Sequence, residues 1–425
     1  MDRTTCCIVG GGPAGTMLGL LLARAGVEVT VLEKHGDFLR DFRGDTVHPS
    51  TLRLLDELGL GEAFARLPFP RMEEMRAQIG GTTVVMADMR RIPGRHKYFA
   101  MVPQWDFLQL ITGAAAEEPS FTLRMRTEVT GLRTEGGRVT GVRFVDEHGA
   151  PGELAADLTV ACDGRESMAA RAAGLRQDRF EVPMDVWQIR VDAPPRSPLR
   201  SSRGDAHSDA LTDGRVLARF GGGQAAVTMD RGTYYQTAYL IEKGKDAELR
   251  AHDVQWLRDR LGALFGWDGA VTDAIEWDGV KLLEVAFGRL RRWHRPGLLC
   301  IGDAAHTMSP VGGVGVNLAL QDAVAAARIL AEPLRRGAVT AADLARVQRR
   351  RRLPVAVVQK SQQGEHAMIR SALADTLDEN RLPVPMRLLR RVPALRTVTG
   401  ILGGIGIRPE RAPAFARVSP GGRSR

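Results

Sequence analysis

The sequence predicts an α/β fold in which a Rossmann-like dinucleotide-binding domain is interleaved with a β-sheet domain and followed by a C-terminal helical segment. Three observations carry this. The chain opens on a βαβ unit around Gly10-x-Gly12-x-x-Gly15. Strand signals dominate residues 186–286. Short buried strands at 158–162 and 298–301 then return the chain to α/β texture.

Residues 5–9 are a short apolar run and read as a buried strand. Residues 14–25 follow as an apolar helix that stops at Gly26, and 27–32 form a valine-rich second strand. Residues 51–58 read as a helix closed by Gly59. A hairpin is expected over 75–89 around Gly80-Gly81, a helix over 105–115, and a β-meander over 123–144 turning at Gly136-Gly137. In the β-rich middle, Trp187, Ile189 and Val191 alternate. Segments 215–220 and 224–229 flank Gly221–Gly223 as a hairpin, and 233–241 is a further strand carrying Tyr234, Tyr235 and Tyr239. One helix, 247–264, interrupts. After the strand at 298–301 a glycine-rich loop leads to a helix over 317–330. Thr340 with Asp343 then forms a capping box that opens the helical, basic tail.

The chain has 425 residues and a formal charge of +9, carried almost wholly by arginine. Lysine occurs only at positions 34, 97, 243, 245, 281 and 360. Apart from a run at Arg349–Arg352 the arginines are scattered, whereas a nucleic-acid footprint needs a clustered stripe, so no nucleic-acid partner is expected. Cys6, Cys7, Cys162 and Cys300 show no zinc-ligand spacing and read as free, buried thiols of a reducing compartment. No metal site is expected. The uncharged stretch 6–23 is interrupted by Gly10–Pro13, which suits strand, turn and helix rather than a membrane span. The expected location is the cytoplasm. Residues 386–407 mix arginines with apolar side chains. Packing on the dinucleotide-binding domain is the leading expectation there, with peripheral membrane contact as the alternative.

The fingerprint has its required context. Gly10 permits the tight turn, Gly12 lets the backbone approach a pyrophosphate, and Gly15 lets helix pack on strand. Pro13 and Ala14 start the helix whose N-terminus faces the phosphates. Glu33 ends the second strand, where a carboxylate can accept bonds from a ribose diol, and Lys34 follows it. Three further segments select among dinucleotides. They are Arg43-Gly44-Asp45 ahead of His48-Pro49-Ser50-Thr51, then Asp163-Gly164 with Ser167, then Gly302-Asp303-Ala304-Ala305-His306, which runs through Pro310 to Gly312-Gly313-Val314-Gly315-Val316-Asn317.

With these motifs in this order, residues 4–330 resemble the single-component FAD-dependent aromatic hydroxylases, the para-hydroxybenzoate hydroxylase-like flavoprotein monooxygenases. The resemblance implies a Rossmann-like FAD-binding domain (residues 1–72, 97–178 and 281–335), a β-rich substrate-binding domain (73–96 and 179–280) and a C-terminal helical segment (336–425). It implies non-covalent FAD, NAD(P)H as co-substrate and no separate nicotinamide domain, in line with the single fingerprint. Dioxygen would be activated as a flavin C4a-hydroperoxide, one oxygen passing to a small organic substrate, aromatic or polycyclic. An epoxidase on the same fold, or a non-oxygenating reductase or sensor, are the alternatives. The Trp-x-Trp-x-Ile-Pro segment of related halogenases is missing.

The same resemblance assigns roles. Glu33 would hold the adenosine ribose, Arg43 the pyrophosphate, Gln104 the ribityl chain, Val129 the adenine through its backbone, and Asp303 the ribityl hydroxyls. The loop from Pro310 through Gly313, Val314, Gly315, Val316 and Asn317 would pass beside the isoalloxazine, where the following helix presents its positive end to the ring. Asp163 joins the cofactor set. His48 and Pro310 are the catalytic candidates. Trp187, Arg219, Tyr235 and Thr237 are the substrate candidates, Tyr235 and Thr237 sharing one sheet face. His306 reads as a packed, hydrogen-bonded residue. One departure stands out: the family's arginine three residues after the serine is Ala170 here, with Arg171 next to it.

Overall fold

A computed structural model describes residues 2–39, 46–192, 216–230, 234–377 and 382–418. Strand Asp2–Val9 is buried from Cys6 onward because its sheet is covered on both faces, by helices where Cys6 and Ile8 pack and by strands Glu128–Glu135 and Arg138–Val145 where Cys7 and Val9 pack. Helix Pro13–Arg24 is apolar nearly all round, since it lies between helices Gly315–Arg335 and Gln104–Ala116. The parallel strands run in the spatial order Phe121–Arg124, Val29–Leu32, Asp2–Val9, Pro151–Ala161, Leu298–Cys300. In chain order this is 3-2-1-4-5. The order reverses between Asp2–Val9 and Pro151–Ala161, and in such sheets the ligand crevice opens beyond the carboxyl ends of the strands at that reversal.

Pro151–Ala161 is longer than the apolar run at 158–162 foretells. Its first half pairs antiparallel with Arg138–Val145, which pairs in turn with Glu128–Glu135. Its second half is the buried parallel strand.

A second sheet has seven strands: Val280–Leu283, Met184–Asp192, Tyr234–Glu242, Gln224–Asp230, Val216–Gly221, Glu74–Ile79 and Thr82–Asp88. One parallel pairing, Val216–Gly221 with Glu74–Ile79, joins the early hairpin to the later strands. Strand Val280–Leu283 is the edge of this sheet, so the β-rich unit runs past the expected boundary at 280. The helical interruption is two helices, Asp246–Leu249 and Val254–Phe265, because Asp253 caps the second through Gln255 N (2.8 Å).

The two faces of this sheet differ. Helix Val254–Phe265 covers one, packing Leu257, Leu261 and Phe265 on Trp187, Ile189 and Tyr239. The other carries Val186, Ala218, Phe220 and Leu240. It meets Val311 of the glycine-rich loop together with Ile369 and Ala372 of helix Ala341–Leu373. That helix starts at the expected capping box, in which Thr340 N donates to Asp343 Oδ2 (3.1 Å) and Asp343 N to Thr340 Oγ1 (3.3 Å).

Helices Val384–Arg391 and Pro393–Gly404 pack mainly on the Glu74–Ile79/Thr82–Asp88 hairpin, not on the dinucleotide-binding domain alone. Met386 and Leu389 enter the core there, and Thr399 Oγ1 donates to Met86 O (2.5 Å). Among the described residues one stretch, Val311–Arg335, is long and apolar enough to cross a membrane, and 72% of its apolar window is buried inside the protein. All four cysteines are free, and burial pushes the Cys7 thiol up to about 12, so it stays protonated at neutral pH.

Candidate active site

The site starts at the Gly10–Gly15 turn. A Cβ on Gly15 would lie 2.0 Å from Gly10 O, and one on Gly10 2.5 Å from Cys162 O, so both positions are closed to any side chain. A Cβ on Gly12 meets nothing within 4 Å: this glycine faces the open crevice, as a pyrophosphate-facing residue must. Pro13 and Ala14 begin the helix, which no side chain caps. Glu33 is buried at the end of Val29–Leu32. Its Oε2 accepts from Gly11 N (2.8 Å) and its Oε1 from His35 N (3.1 Å). Thr127 N donates to Glu33 O (2.9 Å), which brings the start of strand Glu128–Glu135, and hence Val129, close to Glu33. Lys34 is exposed. Arg43 lies outside the described residues.

Asp163 sits across the reversal from Gly10. Its Oδ2 accepts from Ala169 N (3.1 Å), and Ser167 Oγ accepts from Ala170 N (3.0 Å), so the Asp-Gly motif caps helix Met168–Ala172. Asp163 Oδ1 is buried with no hydrogen-bond partner in the described protein, a lone acceptor at the strand-order reversal. Ala170 is buried, whereas Arg171 points to solvent and pairs with Glu166 (3.1 Å). The arginine next to the family position is therefore a surface residue.

Asp303 is exposed at the end of Leu298–Cys300. Beneath it lies a fully buried network. The Asp322 carboxylate accepts from Gly302 N (3.1 Å) and Arg351 Nε (2.8 Å), and it pairs with His306 Nε2 (2.5 Å). Burial opposes ionisation of Asp322, yet the His306 and Arg351 charges outweigh it and hold the carboxyl below its usual range. His306 is thus the packed residue the sequence suggests.

The loop after it turns through Gly312 (φ 78°) and Gly313 (φ 62°), left-handed values that favour glycine. Helix Gly315–Arg335 then begins with no side-chain cap, so the N–H groups of Gly315, Val316 and Asn317 remain for a ligand. The Asn317 side chain is already engaged: its Oδ1 accepts from Ser50 Oγ (2.9 Å) and Thr51 Oγ1 (2.8 Å). Val314 forms the cap backbone, and Gln104 is buried at the head of its helix.

Two catalytic expectations separate here. Pro310 is exposed at the loop's start. His48 is fully buried, its Nδ1 2.9 Å from Gly403 O and its Nε2 3.0 Å from Gly313 O. Burial lowers its pKa, against the two carbonyls, which raise it. His48 is a clamp between the loop and helix Pro393–Gly404 and does not face a substrate, which corrects the catalytic reading.

The substrate expectations are corrected too. Trp187 is fully buried, with Nε1 donating to Asp246 (2.6 Å). Arg219 donates to Leu264 O (2.8 Å), Tyr235 stacks on Trp267 (5.5 Å), and Thr237 bonds Thr228 (3.2 Å). All four lie on the face under helix Val254–Phe265, away from the loop. The face towards the loop carries Gln188, Ala238, Val227 and Ala218, aligned across four strands and half-buried.

The glycine turn, the open N-termini of two helices and the lone Asp163 acceptor fit a flavin dinucleotide. The family described as FAD binding domain matches residues 3–361. The chain belongs to this family. It is a FAD-dependent monooxygenase. It is 34% identical over 401 residues to 6-methylpretetramide 4-monooxygenase of Streptomyces rimosus, covering 93% of this chain and 91% of that one. Among solved structures it resembles PqsL, a probable FAD-dependent monooxygenase from Pseudomonas aeruginosa, at a TM-score of 0.72 and 21% identity, covering 92% of this monooxygenase and 100% of PqsL. OxyS anhydrotetracycline hydroxylase from Streptomyces rimosus gives a TM-score of 0.72 at 23% identity, covering 96% and 77%. At those identities the two structures support the fold alone.

Proposed function

We propose that this monooxygenase hydroxylates a fused-ring phenolic substrate lying between the loop at Val311–Gly313 and the inner face of the seven-stranded sheet. The observation that carries this is the row Gln188, Ala238, Val227 and Ala218, half-buried and, apart from Gln188, built of small side chains. Short side chains in register give a shallow apolar floor, which suits a flat polycycle. The name of the 34%-identical relative, a 6-methylpretetramide 4-monooxygenase, supports the same substrate class.

Bound in the crevice, FAD supplies electrons from NAD(P)H and the activation of dioxygen. The chain's own residues bind and orient. Glu33 and the Gly10–Gly15 turn hold the dinucleotide's adenosine and pyrophosphate portions. The open helix N-terminus at Gly315–Asn317 stabilises negative charge on the flavin ring. The clamp from His48 and the Ser50/Thr51–Asn317 bonds fix the loop that would separate ring from substrate. The apolar inner face excludes water and limits unproductive peroxide release.

The test is aerobic turnover of fused-ring phenols with NAD(P)H, with products weighed and mapped. A product one oxygen atom heavier with a new ring hydroxyl supports the reading. An epoxide would move the assignment to an epoxidase. Reduction without oxygen insertion would overturn it.

A further inference from the structure

Helix Ala341–Leu373 brings a carboxyl group to the glycine-rich loop that no cofactor motif accounts for. The helix is fastened to the loop from both sides of that group. Gln362 Nε2 donates to Ser309 O (2.9 Å) and Val311 O (2.7 Å), while Ser309 N donates to Gln362 Oε1 (3.3 Å). One turn on, His366 Nε2 meets Ser309 Oγ (2.9 Å). Glu365 lies between these anchors, half-buried, with its Oε2 3.9 Å from where a Cβ on Gly312 would stand. Ser361 Oγ donates to its Oε1 (3.4 Å).

Among the described residues Glu365 has no cationic partner. Burial raises its pKa, and the Ser361 hydrogen bond is the one influence opposing this. His366 beside it is turned into the protein against Ser309 and the Phe287 ring (5.2 Å). A surface glutamate on a solvated helix face would sit in water. This one sits at the loop, against Gly312, with one oxygen left for a ligand.

We propose that Glu365 accepts the hydroxyl proton of the bound phenol, an assignment that rests on the phenol-hydroxylase reading above. The phenol O–H bond breaks, its proton goes to the carboxylate, and the electron pair enters the ring. A phenolate is far more electron-rich than its phenol at the carbons beside and opposite the oxygen, where an electrophilic oxygen atom adds. The activity already assigned supplies that atom from dioxygen and the electrons from NAD(P)H. Loss of the proton from the oxygenated carbon restores aromaticity, and the phenolate recovers a proton. Glu365 works best as a base when its pKa lies near the working pH, the direction in which burial moves it.

The test is Glu365→Gln, which keeps size and hydrogen bonding but cannot take a proton. The readout beyond turnover is the absorption of a bound fused-ring phenol, 2-naphthol, which moves to longer wavelength on ionisation. Flavin-loaded wild-type enzyme shifts the bound probe towards the naphtholate spectrum. Glu365→Gln binds it with a Kd changed less than about fivefold, shows the neutral spectrum, and loses kcat on the order of 100-fold or more. Glu365→Asp recovers part of both signals. Flavin content and Tm stay at wild-type values. A neutral spectrum in wild-type enzyme, or an unchanged shift and kcat within twofold in Glu365→Gln, would overturn the assignment while leaving the monooxygenase reading intact. Failure of wild-type enzyme to bind or oxygenate any fused-ring phenol would overturn the substrate reading and the assignment with it.

Discussion

The cofactor crevice and the substrate side are built on different principles. The crevice is made of backbone: a turn that only glycine fits, uncapped helix ends, and buried carboxylates that receive N–H groups. The substrate side is made of side chains on a sheet whose two faces are both apolar. Backbone sites demand particular residues at fixed spacing. A sheet face demands only alternation, which both faces satisfy equally. What decides the faces here is the docking of helix Val254–Phe265 on one and of the loop with helix Ala341–Leu373 on the other, a tertiary fact.

The largest effect should come from the network beneath the crevice. Asp322→Ala leaves Arg351, fully buried, without its hydrogen-bonded carboxylate and with that of Glu410 3.9 Å away. Removing one partner of a buried pair costs about 3–5 kcal/mol, so denaturant unfolding should show a loss of that size together with weakened FAD retention. Stability within 1 kcal/mol of wild type would show that the network carries little. Gly15→Ala comes next. Its Cβ must displace the Gly10 carbonyl, so the purified protein should be largely colourless, with a penalty at or above the roughly 1–3 kcal/mol of ordinary overpacking. Normal flavin content would contradict the crevice geometry.

A matched pair then separates the two sheet faces. Trp187→Phe deletes the bond to Asp246 and core volume, so it should cost roughly 1–3 kcal/mol of stability while the substrate KM stays within twofold. Gln188→Leu on the other face should leave Tm nearly unchanged and shift KM by about tenfold, the size of one polar contact. The reverse pattern would exchange the roles of the faces.

A smaller effect is expected from pH. Burial lowers the folded-state pKa of His48, His294 and His366 below the ordinary 6.5. Between those lowered values and 6.5 the unfolded chain binds more protons. The stabilisation is therefore complete above about pH 6.5 and is lost as pH falls below it. Tm measured downward from neutral pH should decline through this window, and His48→Gln should soften the decline. A Tm that rises over the same range would contradict the burial of these rings.

How legible each part was follows from the same contrast. Gly10, Gly12, Gly15, Glu33, Asp163 and the 310–317 loop could be read because local backbone chemistry fixes both residue type and spacing. The first half of Pro151–Ala161 could not, since it carries no apolar run and takes its strand conformation from the hairpin beside it. Trp187, Arg219, Tyr235 and Thr237 were read as substrate contacts because large polar-tipped residues suit ligands. In the fold those tips find protein partners under a helix instead. His48 stood next to a cofactor segment in sequence, but the carbonyl of Gly403, hundreds of residues away, makes it a clamp. Glu365 had no local signal: it lies on a long, basic helix, and only the bonds of Gln362 and His366 to Ser309 bring it to the loop.

The most direct test of the central claim is turnover of a fused-ring phenol by the flavin-loaded enzyme under isotopically heavy dioxygen, with NAD(P)H consumption followed in the same vessel. The account predicts that substrate accelerates NAD(P)H oxidation and that the product carries one heavy oxygen atom per NAD(P)H consumed when coupling is complete. Bound flavin with NAD(P)H spent entirely on peroxide across the phenol series, or on a reduced product free of heavy oxygen, would contradict it.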